Sequence, residues 1–281
     1  MQYLTKLDNP KIRSLLLKPP HDYNGICPAN AEDLSLTICE DVVLVCRFYL
    51  SAPESPTVVY FHGGGESSDS FDAEAEAFNQ AGINVFLTSQ RGVGKSTGTP
   101  SISILIADAG LQFSKAIGWL ATKNYTGAIV IMGRSLGSVC ALDVVHNNPD
   151  TIRAMILESA FCETLPLLTA IGAGKEAEGI SEEDGFNNLQ KIAEIKIPTI
   201  LFHGSRDVLV PVSQAEKLQA ASGAKNKQFL IIPGAEHDTV SQTAGYLYFT
   251  TIKGFVDTIC GVNTWRQRRR KFKADPEGGA S

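Results

Sequence analysis

A serine in a glycine-flanked turn, five histidines and a few carboxylates placed after apolar runs set the chemistry this chain can do. Ser135 lies in Gly133-Arg134-Ser135-Leu136-Gly137, directly after the apolar run 128–132 and ahead of a helix-like pattern. A serine held at a tight strand-to-helix turn leaves little room for neighbouring side chains, and Gly133 and Gly137 meet that demand. The turn also aims Ser135 at the N-terminus of the following helix, where free N–H groups and the helix dipole favour an oxyanion. The chemistry implied is nucleophilic attack by Ser135.

Serine at its ordinary pKa is a poor nucleophile, so it needs a histidine base and an acid that orients the ring. His21 lies in the N-terminal stretch, His146 at the far end of the helix after the turn, and His62 and His203 in His-Gly turns directly after strands. His237 remains, in the polar loop Pro233-Gly234-Ala235-Glu236-His237-Asp238 after the last buried-type run, and it is the candidate base. Asp207, just beyond the preceding strand, is the candidate acid. Glu158 is a rival read as structural, and Asp238 adjoins His237 too closely to orient its ring. For an oxyanion, the Leu136 N–H needs a second donor, and the side-chain-free backbone of Phe61-His62-Gly63-Gly64-Gly65 offers Gly64 first and Gly65 next.

The elements that must position these residues are legible. Residues 34–39 and 42–50 alternate, with Val42, Leu44, Cys46, Phe48 and Leu50 on one face, as half-exposed antiparallel strands do. Short, continuously apolar runs follow at 58–61, 83–87, 129–132, 154–157, 199–202 and 229–232, the pattern of strands buried on both faces. Helical spacing separates them, as in Ala109, Phe113, Ala116 and Leu120, or Phe249, Ile252, Val256 and Ile259. The expected fold is therefore α/β: a mostly parallel sheet with helices on both faces and an antiparallel pair at its start. Residues 1–33, marked by prolines, read as an N-terminal arm, and 34–262 as a single domain. Residues 161–197, with a Gly-rich acidic stretch between two short helices, read as a small cap or as a plain surface connection. Residues 263–281 read as a basic, disordered tail, with weak contact to anionic lipid or RNA as the alternative reading of its arginines.

Composition narrows the function further. At 281 residues, 43% hydrophobic and 20% charged, the chain has the makings of a large core. A formal net charge of -5 gives no whole-chain reason to expect nucleic acid. No run approaches a membrane span, and 15–17 is too short for a signal h-region, so a cytoplasmic location is expected. The six cysteines are scattered with no C-x-x-C pair, which suggests free thiols, and neither a metal nor another cofactor is expected.

Together these motifs resemble the α/β-hydrolase fold, and within it the BEM46-like group of serine hydrolases, with relatives of the ABHD13 and ABHD17 type. The resemblance covers roughly residues 34–260 and rests on His62-Gly63-Gly64, Arg91-Gly92-Val93-Gly94-Lys95-Ser96, Asp108-Ala109, Gly133 to Gly137, Leu157-Glu158-Ser159-Ala160-Phe161, Asn187-Asn188, His203-Gly204 to Asp207, and His237. It implies Ser135, Asp207 and His237 as a catalytic triad, Gly64 and Leu136 as oxyanion donors, and a small-molecule ester or thioester as substrate. An amidase or peptidase on the same triad, or a binding protein that kept the scaffold, are the alternatives. Gly64, Val93 and Gln90 depart from the group's usual Asn, Tyr and Asp. Residues 90–97 look like a phosphate-binding loop, but Ser89 stands where that motif needs glycine and Gly98-Thr99-Pro100 forbids a helix at Lys95-Ser96.

Overall fold

The computed structural model describes residues 2–18 and 26–262. His21 and the basic segment 263–281, expected to be a disordered or lipid- or RNA-touching tail, lie outside the described residues. The chain runs α1 (Pro10–Leu16), β1 (Ala31–Cys39), β2 (Val42–Tyr49), β3 (Thr57–Phe61), α2 (Ser68–Gln80), β4 (Asn84–Leu87), α3 (Ile102–Thr122), β5 (Ile129–Arg134), α4 (Gly137–Asn147), β6 (Ala154–Glu158), α5 (Thr164–Ala170), α6 (Asn188–Glu194), β7 (Thr199–Gly204), α7 (Val212–Ala221), β8 (Lys227–Ile232), α8 (Val240–Ala244) and α9 (Tyr246–Ile259). The strands form a sheet ordered β1-β2-β4-β3-β5-β6-β7-β8. β1 and β2 are antiparallel to each other, β2 is antiparallel to β4, and every other pairing is parallel. This is the expected α/β-hydrolase sheet, with its antiparallel pair at one edge.

Both faces of the sheet are covered because alternate strand residues feed two cores. Ile131 and Leu157 join the cluster under α3 and α4, while Val130, Met132 and Ile156 join the cluster under α2 and α9. The α3 stripe Ile102, Leu105, Ile106, Ala109, Phe113, Ala116 and Leu120 is buried at helical spacing. Order along the sheet reverses after β4, whose crossover carries the chain past β3 to β5. The C-terminal ends of β3 and β5 therefore flank a topological switch point, the crevice where α/β sheets bind ligands. The 90–97 stretch is a loop, and α3 begins only at Ile102.

The hairpin starts at Ala31, earlier than its alternation shows. Cys46 stands opposite Leu34 and Cys39 opposite Val42, and all six cysteines are free. Residues 2–18 are built into the first core: a 3-10 helix (Gln2–Asp8) and α1 bury Leu4, Leu7 and Ile12 completely. Two capping devices hold this segment. Asn9 accepts from the Lys11 N–H at 2.9 Å ahead of Pro10, the first residue of α1. Asp8 accepts from the Ile102 N–H at 2.7 Å and from the Ser101 hydroxyl, closing the N-terminus of α3. Residues 161–197 carry α5, a 3-10 turn (Glu182–Asp184) and α6, and Lys6 reaches Asp184 at 2.8 Å. No helix among the described residues is long and apolar enough to cross a membrane.

Because Leu7 is fully buried, Leu7→Ala should cost about 2–5 kcal/mol, read as a lower urea midpoint. A change within about 0.5 kcal/mol, the scale of surface substitutions, would mark the segment as peripheral.

Candidate active site

Four strand ends supply the site. Ser135 leaves β5 in the left-handed region at φ 50°, a conformation that costs a non-glycine residue energy and recurs at functional sites. Its own N–H donates to the Glu158 carbonyl at 2.9 Å, which pins the turn to β6. The turn is crowded: a Cβ on Gly137 would sit 2.0 Å from the Phe61 carbonyl oxygen, so only glycine lets α4 start this close to β3. α4 thereby presents its N-terminus directly after the serine.

His237 follows β8, and its Nε2 lies 2.8 Å from Ser135 Oγ, placed to accept the hydroxyl proton. Its Nδ1–H donates to Asp207 Oδ2 at 2.8 Å. The other Asp207 oxygen accepts the N–H groups of Leu209 at 3.0 Å and Val210 at 2.7 Å, so the loop after β7 fixes the carboxylate before the histidine uses it. The Asp207 side chain is fully buried. Ser159, at φ 48° beyond β6, donates its hydroxyl to the His237 carbonyl at 2.7 Å and anchors that loop. Glu158, the rival acid, is instead held by Arg134 at 2.6 Å and by the Tyr248 hydroxyl.

On the β3 side, His62 Nδ1–H donates to the Gly63 carbonyl at 2.7 Å. The peptide is trans, so the Gly64 N–H points the opposite way. Among the described residues neither the Gly64 nor the Leu136 N–H donates to a partner. A Cβ at residue 64 would lie 2.3 Å from the Leu16 carbonyl oxygen. The departure from Asn at this position thus has a packing cause: the end of α1 fills the space.

The sequence brought Ser135, Asp207, His237, Gly64 and Leu136 forward, and the fold gathers all five at one edge of the sheet. It named Ser159 only as part of a motif without a role and read Glu158 as structural, but it did not reveal the ion-pair group under the turn, where Arg134 meets Glu66 at 3.1 Å, Glu74 at 2.6 Å and Glu158 at 2.6 Å. The available signal was an arginine ending an otherwise apolar strand, which cannot be buried without carboxylate partners. Burial raises the Glu158 carboxyl above its ordinary value despite Arg134 beside it.

The fold agrees with what comparison with known proteins finds. The family model described as serine aminopeptidase, S33, matches residues 52–177 and 184–243. This chain is an α/β-hydrolase of the BEM46-like group. Protein bem46 of Schizosaccharomyces pombe is 31% identical over 215 residues, spanning 73% of this chain and 69% of its own. The α/β-hydrolase domain-containing protein WAV2 of Arabidopsis thaliana is 29% identical over 243 residues, covering 80% of this chain and 78% of its own. Among solved structures, the Pyrococcus furiosus esterase Pf2001 superposes with a TM-score of 0.69 at 19% identity, covering 85% of this chain and 98% of its own. The α/β-hydrolase fold of this chain thus carries its glycine loop, elbow and His-Asp pair where that fold presents its ligand crevice.

Apart from His237, His62 and His203 are held neutral by burial. Desolvation depresses both His62 and His203 below the ordinary value of 6.5, although hydrogen bonds to the Gly63 and Val210 carbonyls work the other way. The unfolded chain therefore takes up these protons first as pH falls. The stability each ring contributes is complete above pH 6.5 and is lost as pH falls through its depressed folded value. The raised Glu158 acts in the opposite sense, so the test is comparative. His203→Gln should show a smaller drop in urea midpoint than the parent between about pH 7 and about pH 5. Equal drops in the two proteins would contradict neutral burial of His203.

Proposed function

We propose that this chain is a serine hydrolase that cleaves carboxylic esters or thioesters through an acyl-enzyme on Ser135. The observation that carries the reading is the continuous hydrogen-bonded line from Ser135 Oγ through the His237 ring to Asp207, with both links at 2.8 Å. In the first step Ser135 Oγ attacks the acyl carbon while His237 Nε2 takes its proton. The carbonyl electron pair moves onto oxygen, held by the Leu136 and Gly64 N–H groups. Collapse returns that pair, breaks the bond to the alkoxide or thiolate, and His237 hands the leaving group its proton. Water then repeats the sequence on the acyl-enzyme, with His237 as base again, and releases the acid. Asp207 holds the ring in the Nδ1–H tautomer and stabilises the imidazolium that forms.

The resemblance in fold to an esterase supports ester substrates, and the group's serine-hydrolase pattern supports Ser135. The description of the matching family as serine aminopeptidase favours a second reading, hydrolysis of amide bonds on the same triad. An aminopeptidase must hold a protonated α-amino group, which calls for an available carboxylate beside the nucleophile. Glu66, Glu158 and Asp207 are each already engaged, by Arg134 and the Gly63 N–H, by Arg134 and Tyr248, and by His237 and two backbone amides respectively. Asp238, adjacent to His237 and exposed, is the carboxylate left for that role, so the preference for esters rests on the resemblance in fold to an esterase.

Ser135→Ala should lower kcat for short p-nitrophenyl esters by about 10⁶-fold, and Asp207→Asn by about 10⁴-fold. A fluorophosphonate should label the parent protein on Ser135. Full ester hydrolysis by Ser135→Ala would overturn the mechanism. Ratios of kcat/KM across ester, thioester and aminoacyl-amide series separate the two readings, because each reports transition-state binding directly.

A further inference from the structure

The three glycines at 63–65 give the oxyanion loop close access to a substrate and also the most pliable backbone a chain can have. Glycine loses more conformational freedom on ordering than any other residue, so an N–H on such a loop is a useful donor only when something else fixes it. His62 fixes one peptide, through the Gly63 carbonyl. The peptide before it is fixed from below. The Gly63 N–H donates to Glu66 Oε2 at 2.9 Å, and the other oxygen, Glu66 Oε1, accepts from Arg134 Nη1 at 3.1 Å.

Arg134 is the residue before the nucleophile, and its guanidinium is itself immobilised. Nε donates to Glu158 at 2.6 Å, and Nη2 donates to both Glu74 oxygens at 2.6 and 2.8 Å. Its Cζ lies 5.6 Å from the centre of the Tyr60 ring, on β3 just upstream of the glycine loop. The arrangement has a direction: a rigid guanidinium, one carboxylate with two engaged oxygens, and then the loop amide. A Cβ on Gly63 would stand 3.5 Å from Ser135 Cβ, so the tethered loop lies against the nucleophile.

We infer that Glu66 is a positioning residue for the oxyanion donor, and that Arg134 and Glu66 together set the distance between the Gly64 N–H and Ser135. The inference rests on the acyl-transfer reading of the site. Only a carboxylate fits the place of Glu66, since both of its oxygens receive N–H donors while an amide side chain would turn its own donor toward one of them. Burial alone would lift the Glu66 carboxyl, but the Arg134 charge and the Gly63 N–H outweigh it and hold it below the ordinary carboxylate value, so it stays ionised at neutral pH.

The test uses Glu66→Ala and Glu66→Gln in the full chain, with three readouts. The first is steady-state hydrolysis of a p-nitrophenyl ester. Losing an oxyanion donor outright costs about 10²–10³ in rate, so a donor displaced but still present should cost kcat about 10–100-fold in Glu66→Ala. KM should stay within about threefold, because the ground-state carbonyl uses the donor little, and Glu66→Gln, which keeps one acceptor, should lose less. The second is affinity for an aryl trifluoromethyl ketone. Ser135 Oγ adds to its carbonyl carbon, the C=O electron pair moves onto oxygen and His237 takes the serine proton, so this hemiketal oxyanion should bind more weakly by the same factor as kcat. The third is amide hydrogen exchange across residues 60–66, which should accelerate in Glu66→Ala while exchange in the central strands is unchanged.

Parent-like kcat in Glu66→Ala, or a kcat loss without a matching loss in ketone affinity, would overturn the inference. If the parent protein neither hydrolyses esters nor reacts with a fluorophosphonate, the acyl-transfer reading fails by itself. The exchange readout then still decides the tether: unchanged exchange at 60–66 refutes it, and faster exchange supports it.

Discussion

A guanidinium cannot be taken out of water without partners, and the side of the sheet beneath Ser135 is arranged around that constraint. Transferring one unpaired ion into a protein interior costs several kcal/mol even after relaxation. Arg134 avoids the cost by engaging three carboxylates that come from the loop after β3, from α2 and from β6. Ser241 at the start of α8 donates to Glu74, and Tyr248 on α9 donates to Glu158, so the same charge ties α8 and α9 into the group. With three acids around one cation, at least one carboxyl is driven toward its protonated form, and the fully buried Glu158 is the one whose burial raises it. One buried side chain thereby sets the spacing of five segments on which the elbow rests.

The other side of the turn obeys a steric constraint rather than an electrostatic one. Ser135 keeps a left-handed backbone because the β6 carbonyl, the start of α4 and the β3 chain leave it no relaxed alternative. His237 and Asp207 are then brought to it by sheet order. β7 and β8 follow β5 and β6 along the sheet, so their following loops hang over the same edge. Strand parallelism does the gathering: every parallel strand delivers its C-terminal loop to the same side.

The N-terminal segment shows how a residue choice at the site can be settled by packing far away in sequence. The α1 carbonyl at Leu16 occupies the volume that a side chain at 64 would need, and Asp8 caps the helix that leads into the second half of the sheet. Leu4, Leu7 and Ile12 are fully buried in the main core and tie this segment to it. Read as sequence, residues 1–33 carried four prolines and weak periodicity, and nothing local announced the contact. The described part, residues 2–18, is fixed by partners about 90 residues away, such as Ser101 and Ile102, which hydrogen-bond Asp8 and which no short window contains.

What the sequence determined by itself was local in physical origin. Period-two and continuously apolar runs fixed the strands, helical spacing fixed α3 and α9, and the glycines at 133 and 137 fixed the turn, because each depends on backbone sterics and on which neighbours in the chain are apolar. The candidate triad was legible for the same reason, since its members stand just beyond strands. Tertiary structure alone decided which charges share Arg134, that Ser159 holds the His237 carbonyl, and that α1 lies against Gly64. A carboxylate can be written anywhere in a polar loop at little cost. Only when the fold removes water around a particular guanidinium or a particular loop amide do Glu66, Glu74 and Glu158 become distinguishable from the other acids of the chain.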